Sequence, residues 1–295
     1  MQATALHHAA PAPAPALAPA KTVAPVDYLL HLADNAVVLG QRNAEWNGHA
    51  PILEEDIAMA NNSLDLIGQA RLLYQYAADR LNADVRGQRG AAWPAGPVTE
   101  DTLAYFRDVP DFRNYALLEL PHRLALVPAA GGERDWGVTI VRNFLYSALM
   151  VLVWERLQQS ADAHLAAIAA KSIKEVRYHL RHARDWLVRL GDGTAESHAR
   201  VQAALDYLLP FTEEFWAPSA LESAVAGNAT GVPAASLRAE WQALVDDAIA
   251  EATLKPPPAW DGYVTQGKTG VHTEHLGYLL AEMQSLARAH PGAVW

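Results

Sequence analysis

The 295-residue chain contains no cysteine. That absence excludes disulfide bonds, thiolate metal sites, iron–sulfur ligation and a cysteine nucleophile, and it suits a reducing compartment. Positive charge is also scarce, since 23 Lys and Arg face 33 Asp and Glu, for a formal net charge of -10. A chain with this balance repels phosphate backbones, so nucleic acid is not expected as a partner.

Signals for secretion or membrane insertion are absent as well. The N-terminus has no basic start followed by an unbroken apolar run, so it is a poor secretory signal. The most apolar stretch, residues 138–154, is interrupted by Arg142 and Asn143. This favours a buried core helix over a membrane span, and we expect a cytoplasmic protein with no membrane partner.

The chain divides into a tail and one domain. Residues 1–25 alternate Ala and Pro, which predicts a disordered, extended tail, and residues 26–295 form the single domain. Within it, apolar residues recur at helical spacing, while strict apolar/polar alternation and hairpin turns are missing. The predicted helices cover 26–46, 52–83, a short segment after Thr99, 114–126, 135–159, 163–190, 195–216, 236–254 and 273–289. The fold class is therefore all-α, with four long helices as the core and additional C-terminal helices.

One motif has the form of a phosphate-binding loop. Residues 262–269 match G-x-x-x-x-G-K-[ST], with Lys268 as the lysine. The mechanism needs a buried strand before the loop and a helix that begins at the lysine. Three prolines at 256–258 exclude the strand, and Gly270 lies where the helix should begin. The segment is therefore interpreted as a glycine-rich surface loop.

Long four-helix cores often hold two-metal carboxylate sites. Such a site needs a Glu from each of two helices and a Glu-x-x-His from each of the other two, all directed inward. The only Glu-x-x-His runs from Glu119 to His122, and Pro121 interrupts it. The sequence therefore lacks an intact copy of this ligand pattern.

The long helices carry partial copies of the pattern. Three residues after Asp65, where the pattern requires histidine, the chain has Gly68. Three residues after Glu175, at the equivalent position of the pattern, it has Tyr178. The third long helix has no carboxylate between residues 136 and 154. On the first helix, Glu45 shares a face with two other polar residues, Asp34 and Gln41. These positions are either a metal site with substitutions, or a solvated face or polar network where a related protein binds metal.

Two histidine pairs also fall at helical spacing. His179 and His182 share one face, as do His272 and His275. Two imidazoles need a third ligand to hold a catalytic zinc ion. Glu175 or Glu274 could supply it, but nothing in the sequence assigns that role to either residue. Surface or interface histidines are the simpler interpretation. Three residues in and just after the glycine-rich segment are candidates for a loop at a subunit interface. They are Lys268, His272 and His275.

Several longer strings resemble one known family. They are Asn35–Arg42, Glu45–Trp46, Gly48–Pro51, Leu64–Arg71, Lys174–Arg181, Gly270–Gly277 and Leu280–Gln284. Together they resemble the C subunits of bacterial ring 1,2-phenylacetyl-CoA epoxidases, over roughly residues 26–295.

The resemblance implies a ferritin-like fold and a place in a multicomponent monooxygenase of phenylacetate catabolism. That complex epoxidises the ring of phenylacetyl-CoA. The resemblance places the di-iron centre in a related catalytic A subunit and implies a small bridging B subunit. It also implies an E-type reductase with flavin and an iron–sulfur cluster that draws electrons from NADPH. The C subunit is implied to be a structural partner of A without a cofactor of its own.

Three hypotheses follow. The favoured one is a non-catalytic structural subunit, in which Glu45, Asp65 and Glu175 occupy vestigial ligand positions. The first alternative is a di-iron carboxylate oxidase in its own right that uses these same three residues as a variant ligand set. The second is a ferritin-like binding or assembly protein with another partner.

Overall fold

The computed structural model describes residues 22–83, 97–124 and 134–293. Within these ranges the chain is α-helical, with short 3₁₀ turns, no β-strand and one isolated bridge between Gln266 and Val271. In chain order the helices are α1 (Val26–Ala44), α2 (Leu53–Ala83), α3 (Glu100–Tyr105), α4 (Ala116–Glu119), α5 (Trp136–Leu157), α6 (Ala163–Gly191), α7 (Ala195–Leu208), α8 (Glu213–Trp216), α9 (Ala220–Gly227), α10 (Arg238–Glu251) and α11 (Glu274–Ala289). The all-α prediction is confirmed.

The core is a four-helix arrangement of two packed pairs. α1 packs along α2, α5 packs along α6, and α2 meets α6 across the bundle. The shorter helices cover other sides: α7 and α10 lie on α5 and α6, and α11 lies on α1, α3 and α4. This is the four-helix core with additional C-terminal helices that the sequence predicted.

α5 forms the centre of the bundle. It is the one helix of the described residues that is long and apolar enough to cross a membrane, and 94% of its most apolar window is buried inside the protein. Arg142 and Asn143 are buried there too and find partners from other segments. The interpretation of this stretch as a core helix is confirmed.

Two predicted helices are shorter than the pattern indicated, and proline explains both. Of the predicted helix 114–126, residues 114–124 are described, and among these only Ala116–Glu119 is α-helical, because Leu120 is extended in front of Pro121. The predicted helix 195–216 breaks at Pro210, where a 3₁₀ turn over Leu209–Thr212 separates α7 from α8. The predicted loop at 85–97 and the glycine pair at 131–132 lie almost wholly outside the described residues.

The N-terminal boundary lies close to the predicted one. Ala24 is buried, and its backbone N–H donates to Asp162 Oδ2 over 2.8 Å. Asp162 also caps α6 by accepting from the N–H groups of His164 and Leu165. The chain is thus fixed to the bundle from Ala24 onward. Residues 1–21 lie outside the described ranges, and the disordered tail stays a prediction.

Two helical glycines provide a matched test of packing. A Cβ added to Gly68 in α2 meets nothing within 4 Å, whereas one added to Gly40 in α1 lies 3.2 Å from Ile67 Cγ1 and 3.3 Å from Ser63 O. We therefore expect Gly68→Ala to stabilise the chain by about 0.5–1 kcal/mol, the helix-propensity difference. Gly40→Ala should destabilise it by about 1–3 kcal/mol through overpacking between α1 and α2. Urea unfolding of both variants measures this, and equal effects of the two would contradict the packing described.

Candidate functional site

A ladder of polar pairs joins α2 to α6. His182 Nε2 lies 2.7 Å from Glu55 Oε2, and His179 Nε2 lies 3.1 Å from Asp65 Oδ2. One further step along, Gln69 Nε2 donates to Glu175 Oε2 over 2.9 Å. These pairs run in opposite chain directions on the two helices, as expected for antiparallel packing. Each carboxylate of the ladder is matched with one neutral or basic partner on the facing helix.

Asp65 and Glu175, two of the three predicted ligand positions, therefore lie on facing helices but bind different partners. The third, Glu45, lies just after α1, where Arg42 donates to its Oε1 over 2.6 Å. His122 Nε2 is 3.9 Å from its other oxygen. The structure thus does not bring Glu45 together with Asp65 and Glu175. In the described ranges no group of three or more His, Asp and Glu side chains is arranged to hold a metal ion.

The space between α1 and α5 is bridged by two neutral amides. Asn43 Nδ2 donates to Asn143 Oδ1 over 2.8 Å, and Asn143 Nδ2 donates back to Asn43 Oδ1 over 3.0 Å. Asn143 also donates to the carbonyl of Thr139. In this reciprocal pair each side-chain amide satisfies hydrogen-bonding groups of the other, and the pair carries no negative charge. The pair therefore joins α1 to α5 without contributing a charged ligand.

A charged pair is buried deeper in the same core. Asp34 of α1 is fully buried and accepts from Arg107, from the Tyr74 hydroxyl over 2.6 Å and from the Arg113 N–H over 2.8 Å. Burial acts to lower the pKa of Arg107, but Asp34 together with Tyr74 and Asp111 outweighs burial, and the pKa is raised overall. The pair ties α1 and α2 to the segment after α3, and these donors already occupy the Asp34 carboxylate.

A second polar group lies where α1 ends. His122 Nε2 is 2.5 Å from the Arg42 carbonyl, and its Nδ1 is 2.7 Å from Arg142. Burial, then the charge of Arg142, lowers the pKa of His122 well below its usual value. Burial and Arg42 lower the pKa of Arg142 to about 9. His122 is thus held neutral in a positive environment, which is unfavourable for binding a cation.

Beside this group is a cavity of about 600 Å³, which Glu45 and His122 line together with Trp46, His49, Pro121, Arg123 and Arg134. Its charged lining is mainly basic, so the chemistry it offers suits an anion and not a metal ion.

Buried carboxylates anchor the glycine-rich segment to the bundle. Glu214 accepts from the backbone N–H groups of Lys268 (2.7 Å) and Ala116 (2.9 Å). Glu222 accepts from Lys268 Nζ over 2.7 Å. Burial raises the pKa of Glu214. Burial also acts to raise the pKa of Glu222, but Lys268, the Ala234 N–H and the charge of His31 together outweigh burial and lower it. Lys268 is 6% exposed, so the prediction of a surface lysine is wrong, because carboxylates distant in sequence bury it.

The two histidines of the predicted interface loop lie close to this anchor. His272 Nδ1 lies 3.0 Å from Glu119 Oε2, whose other oxygen accepts from the Thr273 N–H over 2.7 Å. Burial lowers the pKa of His272, but the hydrogen bond and charge of Glu119 together with the Phe112 carbonyl and the charge of Glu214 outweigh burial, and the pKa is raised. His275 is half-buried, and its carbonyl accepts from Arg42. Lys268 and His272 are thus engaged with groups of their own chain, and an interface role for the loop stays a prediction.

Comparison with known proteins gives the family. A model of the family described as phenylacetic acid catabolic protein matches residues 11–295. The chain belongs to this family. It is also 45% identical, over 268 residues, to the C subunit of 1,2-phenylacetyl-CoA epoxidase from Escherichia coli (strain K12). The match covers 91% of this chain and 98% of that relative. The resemblance seen in the sequence is confirmed.

Within this member of the phenylacetic acid catabolic family, the described helical core holds no converged set of ligands. Sequence reasoning missed the residues that fill the core instead, above all Arg107, Glu214 and Glu222. Arg107 bonds to a carboxylate 73 positions away, and Glu214 to a backbone group 54 positions away. One signal was available for Asp34, which shares a face of α1 with the apolar residues Leu30 and Val38, four positions to either side.

Proposed function

We propose that the chain is a non-catalytic structural subunit of a di-iron monooxygenase that epoxidises the ring of phenylacetyl-CoA. Its partner is the related catalytic A subunit, which holds the iron. A small B subunit and an E-type reductase with flavin, an iron–sulfur cluster and NADPH complete the assembly, in the cytoplasm. The family and the relationship to the C subunit of an epoxidase support the assignment to this complex.

The observation that carries the structural role is the separation of the candidate ligands. Glu45 is paired with Arg42, Asp65 with His179 and Glu175 with Gln69. A di-iron centre needs four carboxylates and two histidines facing one point. The described core instead holds a neutral amide pair and fully engaged carboxylates, which stiffen the bundle. A stiff bundle can hold a partner's ligand-bearing helices in position.

Metal analysis and activity of the complex test this proposal. The full chain, purified aerobically after iron supplementation, should contain no stoichiometric iron, whereas its complex with the A-type subunit should contain iron. The triple variant Glu45→Gln, Asp65→Asn, Glu175→Gln should keep phenylacetyl-CoA-dependent NADPH oxidation within about twofold once complexed, since none of the three touches reacting atoms.

The variant-oxidase hypothesis expects the opposite results. Two irons in the isolated chain, or a loss of about 10²–10⁴-fold in the triple variant, would overturn the structural role. Thermal melts of the variant serve as the control for folding. Failure to associate with the A-type subunit, with another partner bound instead, would favour a general assembly protein.

A further inference from the structure

The ring of His272 has a hydrogen-bond acceptor at each of its two nitrogens. Nδ1 lies 3.0 Å from Glu119 Oε2, and Nε2 lies 2.9 Å from the Phe112 carbonyl oxygen. A neutral imidazole donates from one nitrogen only and presents a lone pair at the other, whereas an imidazolium donates from both. The position therefore suits the ring in its protonated form.

Within the described residues, every partner of the Glu119 carboxylate is a hydrogen-bond donor. Oε2 also accepts from Asn114 Nδ2 over 3.2 Å, and Oε1 accepts from the Thr273 N–H over 2.7 Å. The side chains of Glu119 and His272 are both fully buried, out of reach of bulk water. Loss of the proton on Nδ1 would turn a ring lone pair toward a carboxylate oxygen, a contact that is costly in a buried place. The pair therefore depends on one proton.

The pair lies at the start of α11. Thr273 is the N-cap of this helix, so Glu119 of α4 holds both the ring of His272 and the backbone where α11 begins. Farther along α11, Gln284 and Arg288 donate to backbone carbonyls at the end of α3 and just after it. An amide and a guanidinium do not give up protons near neutral pH. Removal of the His272 proton therefore acts on the start of α11 and not on its end.

The surroundings of the ring set the pH range in which the proton is held. Burial acts to lower the pKa of His272, but Glu119, the Phe112 carbonyl and the charge of Glu214 together outweigh it and raise the pKa. In His275 the balance is the opposite, since burial and then the charge of Arg42 lower its pKa. The two histidines thus titrate on opposite sides of about pH 6.5. The other charged side chains on the segments packed around the pair are Asp108, Asp111, Arg113, Lys268 and Glu274.

We propose that the His272–Glu119 pair is a proton-held clamp, which fixes the start of α11 to the bundle while the ring is protonated and releases it as the pH rises. Arg42 donates to the carbonyls of both Glu119 and His275, and these bonds keep the released end close to α1. The released state is therefore a local opening of the first turns of α11 and not an unfolding of the chain.

The clamped and open states differ in how tightly the ring holds its proton. In the open state the ring has an ordinary pKa of about 6.5, and in the clamped state its pKa is higher. The clamp is therefore at full strength below about pH 6.5. Between that pH and the raised pKa, the equilibrium constant for opening rises by up to about tenfold per pH unit, and above the raised pKa this contribution is lost.

Amide hydrogen exchange of the full chain between about pH 6 and pH 8.5 tests the clamp, with each rate corrected for the intrinsic exchange rate at that pH. Peptides that cover residues 272–280 should lose protection by about fivefold or more across this range. Peptides that cover residues 284–289 are the internal control, and their protection should change by less than about twofold. An equal loss in both sets would mean a general loosening of α11 and would contradict the clamp.

Two variants separate His272 from its titratable neighbours. His272→Asn keeps a donor near the position of Nδ1 but cannot titrate, so the protection of residues 272–280 should no longer depend on pH. Since this variant retains Glu119 and Glu214, a pH dependence that survives in it would assign the effect to these carboxylates and overturn the proposal. His275→Asn is the matched control, because its ring titrates below this pH range, and it should keep the wild-type pH dependence.

A nuclear magnetic resonance spectrum of the wild-type histidine rings gives a second measurement that needs no variant. In a proton–nitrogen correlation spectrum, His272 should carry protons on both ring nitrogens and should titrate with a midpoint above about pH 6.5. A midpoint at or below this value rules out the clamp. Protection of residues 272–280 that stays constant with pH in the wild type rules it out as well.

Discussion

Replacement of Asp34 by Ala should destabilise the chain by about 3–5 kcal/mol, the usual cost of leaving one partner of a buried ion pair uncompensated. Arg107 is 4% exposed and would keep its charge in the core without a counter-ion. The Tyr74 hydroxyl and the Arg113 N–H would lose their acceptor as well. Since whole domains are stable by only about 5–15 kcal/mol, this single change removes a large part of the total.

Urea unfolding of the purified variant measures the loss. Glu240→Ala is the control, since Glu240 pairs with Arg156 at the surface with both side chains about half exposed. Its loss should be below about 1 kcal/mol. The double variant Asp34→Leu, Arg107→Met removes both charges and should be more stable than Asp34→Ala alone. Equal losses in the Asp34 and Glu240 variants would show that the buried pair contributes no more than a surface pair.

The bundle itself could be predicted because its signals are local. Helical spacing placed α1, α2, α5 and α6 within about two residues of their ends, and each is long enough for the pattern to repeat several times. The interpretation of α5 as a core helix needed only its composition. Sequence reasoning failed at Pro121 and Pro210, where a proline interrupts the helix. The apolar periodicity of the sequence continues past each proline, but an α-helix does not tolerate proline in its interior.

That Glu45, Asp65 and Glu175 are vestigial ligand positions stays a prediction. Asp65 and Glu175 lie on facing helices, but spacing along one helix does not fix the rotation of that helix against another. Gly68 shows the limit, since it shares a helix with Asp65 and yet its missing Cβ faces open space. A histidine placed there or at Tyr178, which is 40% exposed, would point away from the core, so the missing histidines alone do not account for the absent ligand set.

The anchoring of the glycine-rich segment could not be predicted at all from local pattern. The motif at 262–269 suggested a surface loop, yet its lysine is buried against Glu222, 46 positions earlier. Long-range pairs of this kind leave no periodic signal, because one partner lies on a short helix and the other in a turn. Such pairs also fix how the C-terminal helices lie on the bundle, so their loss affects the whole chain.

Removal of the lysine charge at this anchor should have an effect of similar size to the Asp34 change. Lys268→Met keeps the apolar stem but leaves Glu222, 7% exposed, as a buried carboxylate without a counter-ion. Three acceptors would lose the ammonium as their donor, namely Glu222 Oε2, the Ala217 carbonyl at 2.6 Å and the Phe215 carbonyl at 3.4 Å. We expect a loss of about 3–5 kcal/mol near neutral pH. Lys268→Met with Glu222→Gln should recover a large part of it, because Gln can still accept from the Ala234 N–H.

The pH dependence of this loss gives the sharper test. In the wild type the pKa of Glu222 is lowered, because Lys268, with smaller contributions from the Ala234 N–H and His31, outweighs burial. The pair therefore stabilises the folded state above the unfolded carboxyl pKa of about 4.3, and this stabilisation disappears as the pH falls through the folded value. In Lys268→Met, burial loses its main opponent, and we expect the pKa of Glu222 to rise above the unfolded value. The folded variant is then favoured below about pH 4.3 and loses stability as the pH rises through its raised pKa.

The difference in unfolding free energy between wild type and variant should therefore be largest near pH 7 and should shrink toward pH 4. A difference that is constant across this range would mean that lost packing of the lysine stem, and not the unpaired Glu222 charge, causes the destabilisation.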